Sequence, residues 1–136
     1  MKPKSSAEMV QEAKARIVNL TVEQLADELK NDNILLVDLR ESEERHEQGA
    51  IPGSMSMPRG LLEFWADPIS PRHHKEFVLG RRTILYCATG GRSALAADTL
   101  QQLGYSNVAH LESGFLGWKE AGQPIDKLDI WWNTSN

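Results

Sequence analysis

The 136-residue chain is predicted to be an α/β protein with three layers: a mostly parallel central sheet of about five strands and helices on both faces. Three observations lead there. Short apolar runs at Ile34–Val37 and Thr83–Tyr86 read as buried strands, and Asn107–Leu111 as one more short strand. Between them lie segments whose apolar residues recur at helical spacing, and strands that alternate with helices need crossover connections, which are parallel. Charged residues are 25% and hydrophobic ones 40%, ordinary for a globular domain, and a chain of this length builds one core.

In chain order, Ala7 to Arg16 reads as an amphipathic helix carrying Met9, Val10, Ala13 and Ile17 on one side. Residues 1–16 are thereby expected to form a helical appendage, residues 17–125 the main domain, and residues 126–136 a tail in which Trp131 and Trp132 pack back. Thr21 and Gln24 match a capping box, starting a helix from about Val22 to Leu29. The strand at Ile34–Val37 ends in Asp38. Glu41 to Gln48 is charged, fits an exposed helical turn or two, and stops at Gly49, Pro52 and Gly53. Ser54–Met57 gives a short strand. From Arg59 to Leu79, Leu61, Leu62, Phe64 and Trp65 precede an Asp67-Pro68 break, and Ser70-Pro71 suggests a second helix start, so two short helices joined by a loop are expected. The Thr83–Tyr86 strand runs directly into Cys87, Gly90 and Gly91. A helix should follow from about Arg92 to Leu103, closed by Gly104. A last strand and a helix at Phe115–Ala121 complete the pattern, with Gly122 and Pro124 as the stop.

A net charge of −4 argues against nucleic acid as a partner, since that binding requires a basic surface. The first sixteen residues lack the apolar core of a signal peptide, and no segment reaches membrane-spanning length, so no membrane partner is expected. One cysteine cannot form an internal disulfide and suits a reducing cytoplasm. His46, His73, His74 and His110 show no paired-ligand spacing, and neither a metal nor an organic cofactor is called for.

The chemistry concentrates in Cys87, Ala88, Thr89, Gly90, Gly91, Arg92 and Ser93, which join a strand to a helix N-terminus. Ligands in such folds bind where strands end. Two glycines let the backbone curl so that successive N–H groups point inward as an anion-binding nest, and the helix dipole adds to that field. A sulfur at its centre is favoured as the thiolate, the species that attacks. Arg92 sits in the first helical turn, where its charge is opposed by the dipole, so a nearby anion would explain it. Ser93 either donates to the sulfur or caps the helix.

These residues resemble the rhodanese family, whose loop has the form cysteine, four residues, arginine; Cys87 to Arg92 matches, including Gly90. Asp38, Leu39 and Arg40 with Gly49, Ala50, Ile51, Pro52 and Gly53 resemble a second family signature. Gly114 through Trp118, Gly122 and Pro124 resemble a third, so the likeness covers roughly Val18 to Pro124. Ala88 and Thr89 stand where some thiosulfate-using members carry basic residues, and Ala50 where a histidine is common. The resemblance places Asp38 and Arg40 near the loop, Asp38 in a supporting role that caps the next helix or bonds a loop, Arg40 as a candidate to hold an anionic substrate. Arg59, with Glu63 and Trp65, is a candidate for one wall of the pocket.

The activity implied is that of a sulfurtransferase: the Cys87 thiolate takes sulfane sulfur from thiosulfate or a persulfide and passes it to a thiol, cyanide-like or protein acceptor. Two alternatives remain open. A sulfur-relay or protein-binding module would lack turnover of its own. A thiolate phosphatase or arsenate reductase would also cradle an anion between cysteine and arginine, though its usual loop is one residue longer.

Overall fold

A computed structural model describes residues 2–128, so the expected packing of Trp131 and Trp132 lies outside the described residues. Helix α1 (Ser6–Arg16) leads into strand β1 (Val18–Leu20), α2 (Val22–Glu28), β2 (Leu35–Asp38), α3 (Ser42–Gln48) and β3 (Met55–Ser56). A 3-10 turn at Arg59–Leu61 then precedes α4 (Leu62–Ala66), β4 (Thr83–Tyr86), α5 (Gly91–Gln102), β5 (Val108–Leu111) and α6 (Gly114–Glu120). The five strands form one sheet in the order β1-β5-β4-β2-β3, and every pairing is parallel.

Two elements differ from expectation. Strand β1 is only three residues long with a polar Asn19 at its centre, too short to show a period; it exists because Val18 to Leu20 pair with Ala109 to Leu111 at the sheet edge. The helix expected to start at Ser70-Pro71 does not form between α4 and β4. Pro71 is followed by the polar run Arg72 to Glu76, which offers no apolar stripe; turns close by Ser70 N–H to Asp67 O and His73 N–H to Ser70 O instead. That segment is held by the stacking of Trp65 on His74, ring centroids 4.8 Å apart, and by burial of Phe77.

Each face of the sheet carries its own core, because side chains alternate along a strand. On one face Leu35, Val37, Leu85 and Cys87 pack with Leu62 of α4 and Ala96, Ala97 and Leu100 of α5. On the other, Leu36, Ile84, Tyr86 and Ala109 meet Leu25 of α2 and Phe115 and Trp118 of α6. Cys87 thus continues the phase of Leu85 and points toward α5. Helix α5 is flanked on its outer side by α1, which its small residues allow: Ala94 is buried, and Asp98 accepts both Arg16 Nε at 3.0 Å and Arg16 Nη2 at 2.7 Å.

At the C-terminal end of β2 the Asp38 carboxylate is fully buried and collects five donors. Oδ1 accepts the backbone N–H of Arg40 at 2.9 Å and its Nε at 3.0 Å; Oδ2 accepts Arg40 Nη2 at 2.8 Å, Arg45 Nη1 at 2.8 Å and the Tyr86 hydroxyl at 2.9 Å. Burial and the carboxylate push the Tyr86 phenol up to about 12, so it stays protonated and donates. Its oxygen in turn accepts the Ile51 N–H at 3.1 Å. Arg40 also donates to Gly49 O at 2.8 Å, and its guanidinium lies 4.2 Å from the centroid of the Phe115 ring. Removing the carboxylate strands a buried guanidinium. Asp38→Ala is therefore expected to lower unfolding free energy by about 3–5 kcal/mol in urea titrations, far more than a surface ion-pair deletion.

Candidate active site

Cys87 follows the last residue of β4, and Gly91 opens α5, so the loop between them is only three residues long. Its curvature depends on two glycines. Gly90 takes φ +100°, and a Cβ there would run into the Glu112 carbonyl; Gly114 takes φ +69°, and a Cβ there would strike the Ala88 carbonyl. The turn after β5 can therefore press directly against the loop. The first amides of α6 then take up its carbonyls, Phe115 N–H to Cys87 O at 2.8 Å and Leu116 N–H to Ala88 O at 3.1 Å. With the carbonyls drawn outward, the amides face in: Gly90 N lies 3.2 Å and Ser93 N 3.4 Å from Cys87 Sγ. Cys87 lies beneath these two amides with 1% of its surface exposed.

Arg92 stands at the rim. Its two terminal nitrogens grip Glu44 of α3 at 3.0 and 3.1 Å, a bidentate pair that holds the Glu44 carboxyl below its usual range and raises Arg92, with a smaller contribution from the Cys87 sulfur. One cation thus serves both the acidic helix and the sulfur. Thr89 is exposed, Ala88 and Gly91 are partly covered, and none of the three brings a charge to the loop.

Ser93 does not cap α5. Its Oγ lies 3.6 Å from Cys87 Sγ, 3.3 Å from Gly90 O and 2.7 Å from Nδ1 of His110, which projects from β5. His110 Nε2 is in turn 2.7 Å from Asn19 Oδ1, while Asn19 Nδ2 donates to the carbonyls of Lys14 at 3.0 Å and Ile17 at 3.3 Å. His110 is fully buried; desolvation, aided by the charge of Lys14, pushes its pKa down to about 4.

Two sequence-derived candidates fall elsewhere. Arg40, expected to help hold an anion, is sealed in the interior with 0% exposure, its Nε and Nη2 bonded to Asp38 and Gly49 O. Arg59 bonds Glu63 at 3.0 Å and Thr99 at 3.4 Å, and Thr99 lies seven residues, about 10 Å, along α5 from Arg92. Asp38 bonds Arg40 and Arg45 of the following segment and the Tyr86 hydroxyl. Glu44, His110 and Asn19 were missed: Glu44 is one acid in a run of charges, and His110 and Asn19 sit singly in short strands. Only the polar character of residues inside otherwise apolar strands hinted at the last two. A concavity of about 620 Å³ opens at the opposite end of the sheet, lined by Asn31, Gly80, Arg82 and Asn107 among others and remote from Cys87.

A parallel α/β sheet with a cysteine at a strand end, two loop amides on its sulfur and an arginine at the rim defines a thiol-bearing α/β domain. The chain belongs to the rhodanese-like family, whose domain model matches residues 21–121. Thiosulfate sulfurtransferase/rhodanese-like domain-containing protein 3 of Mus musculus is 31% identical over 105 residues, 73% of this chain and 66% of the relative. The chain spans between 25% and 66% of the length of the curated relatives it matches. Among solved structures, a Rhodopseudomonas palustris protein described as of unknown function and a possible tyrosine phosphatase is 40% identical, with a TM-score of 0.86 over 93% of this chain and 97% of that one. The polysulfide-sulfur transferase homodimer of Wolinella succinogenes is 30% identical, with a TM-score of 0.71 over 90% of this chain and 85% of that one. Membership in a family with sulfurtransferase-named relatives is thereby established.

The buried imidazole has a consequence for stability. A group whose pKa is lower in the folded state supports the fold above its unfolded value and loses that support as pH falls toward its folded value. Between pH 6.5 and about 4, His110 is expected to withdraw on the order of 3 kcal/mol. Chemical denaturation across that range checks this: the decline should be visibly shallower in His110→Asn, which has no imidazole to charge.

Proposed function

We propose that the protein is a sulfurtransferase that carries sulfane sulfur on Cys87. The convergence of the Gly90 and Ser93 amides on Sγ, with Arg92 at the rim, is the observation that supports it most directly. In the first half-reaction the Cys87 thiolate attacks the outer sulfur of an anionic donor such as thiosulfate. A new S–S bond forms, the donor's own S–S bond breaks, and sulfite leaves with that electron pair. The terminal sulfur then carries the negative charge, and inward-facing amides and Arg92 stabilise it. In the second half-reaction a thiol, cyanide-like or protein acceptor takes the outer sulfur, and Cys87 returns as the thiolate. The two steps predict ping-pong kinetics.

Intact-mass spectrometry tests the core of this reading. After treatment with thiosulfate the protein should gain the mass of one sulfur atom, lose it on reduction, and show no gain in Cys87→Ser. A wild-type protein that never gains sulfur from thiosulfate, polysulfide or a low-molecular persulfide would remove the proposal. Steady-state thiocyanate production from thiosulfate and cyanide separates turnover from a relay module that discharges only to a partner.

The Arg92–Glu44 pair makes the donor a competitor for the guanidinium, since an anion entering the rim must share or displace the carboxylate. Glu44→Gln is expected to lower the KM for thiosulfate roughly three- to tenfold, the effect of weakening one charge-assisted contact by about 1 kcal/mol. A KM unchanged or raised would show that Arg92 does not meet the donor. A phosphatase reading is favoured only by the description of the R. palustris structure. Four residues separate Cys87 from Arg92, a ring sized for one sulfur more than for a tetrahedral oxyanion. Hydrolysis of an aryl phosphate that disappears in Cys87→Ser would favour that alternative.

A further inference from the structure

A chain of hydrogen bonds with a single consistent direction runs from the end of α1 to the sulfur. Both hydrogens of Asn19 Nδ2 are taken by the carbonyls of Lys14 and Ile17, which forces Oδ1 to face His110 as an acceptor. The 2.7 Å contact then requires that Nε2 of His110 carry the ring proton. A neutral imidazole has only one such proton, and burial keeps His110 neutral, so Nδ1 presents a bare lone pair. Ser93, 2.7 Å away, gives its hydroxyl hydrogen to that lone pair in preference to Gly90 O at 3.3 Å. The hydrogen is consequently unavailable to Cys87, and the side of Ser93 Oγ that faces the sulfur is a lone pair, which accepts an S–H and opposes a thiolate.

We propose that His110 is a positioning residue which, by claiming the Ser93 hydroxyl hydrogen, makes Ser93 an acceptor toward Cys87, so that the sulfur meets a lone pair to which an S–H can donate and not a donor. This deepens the sulfur-transfer reading and rests on Cys87 being the working group. The two amides and Arg92 favour the anion, and the Asn19–His110–Ser93 chain opposes them. The other charges around the loop are already matched in pairs, Arg92 with Glu44 of α3 and Lys14 of α1 with Glu112 after β5, and Asp38 is matched by Arg40 and Arg45. Asn19 lies outside the family-matched segment, and α1 is clamped to α5 by Arg16 and Asp98, so the appended helix supplies the first link.

The test follows the pH profile of Cys87 alkylation by iodoacetamide, which needs no sulfur donor and so stands apart from the success or failure of sulfur loading. His110→Phe frees the hydroxyl to turn to sulfur and is expected to move the profile to lower pH by roughly one unit, about a tenfold faster reaction on its rising limb. His110→Asn, whose Oδ1 can replace Nδ1 as the acceptor, should restore the wild-type profile. In a Ser93→Ala background, His110→Phe should move nothing further. An equal shift with and without Ser93, or a folded His110→Phe protein with an unmoved profile, would overturn the proposal. Should His110→Phe fail to fold, imidazole ¹H–¹⁵N spectra of the wild-type protein decide: Nε2 protonated and Nδ1 bare is the expected result, and a proton on Nδ1 overturns it.

Discussion

The buried carboxylate of Asp38 is the constraint on which the arrangement around Cys87 depends. It lies at the end of β2, yet its partners come from the following segment, from α3 and from β4, so three parts of the chain are tied to one pair of oxygens. No charge can remain there unpaired in a dry interior, and the donors must keep their geometry for the fold to keep its stability. Arg45, held on Oδ2, fixes the rotation of α3, and that rotation turns Glu44 toward Arg92. A charge sealed away from solvent thereby sets the position of one that meets it.

Around Cys87 the backbone does most of the electrostatic work. Amides carry no net charge and need no proton, and two of them reach the sulfur because the start of α6 has already taken the opposing carbonyls. The side chains add a balance on top of that field. Arg92 contributes a cation that is shared with Glu44, while Ser93 offers an oxygen whose hydrogen belongs to His110. The sulfur therefore meets donors from the backbone on one side and an accepting side-chain oxygen on the other.

The departures from expectation have a common physical origin. Arg40 looked like a surface cation that follows a strand, yet the network around Asp38 draws it inward, where the Phe115 ring covers it. Arg59 lies in sequence after β3 but reaches along α5 to Thr99 and not to the loop. The helix expected after Pro71 lost to a turn because its residues offered nothing to bury except Phe77. In each case the deciding contact comes from residues far away in sequence, which periodicity and local spacing do not report.

The sequence by itself determined the parallel α/β class, the helix starts near Val22 and Arg92, and the presence of a strand, cysteine, glycine-rich loop and helix in one continuous run. Those features are local: periodicity, capping and turn chemistry act over a few residues, and the Cys87 cradle is made of consecutive backbone amides. Only the tertiary structure decided that Glu44 meets Arg92 across 48 positions, that Asn19 and His110 align across 91, and that Arg40 is buried. Those partners are selected by strand order and helix packing, and a pairing between distant residues leaves no periodic trace in the residues that make it.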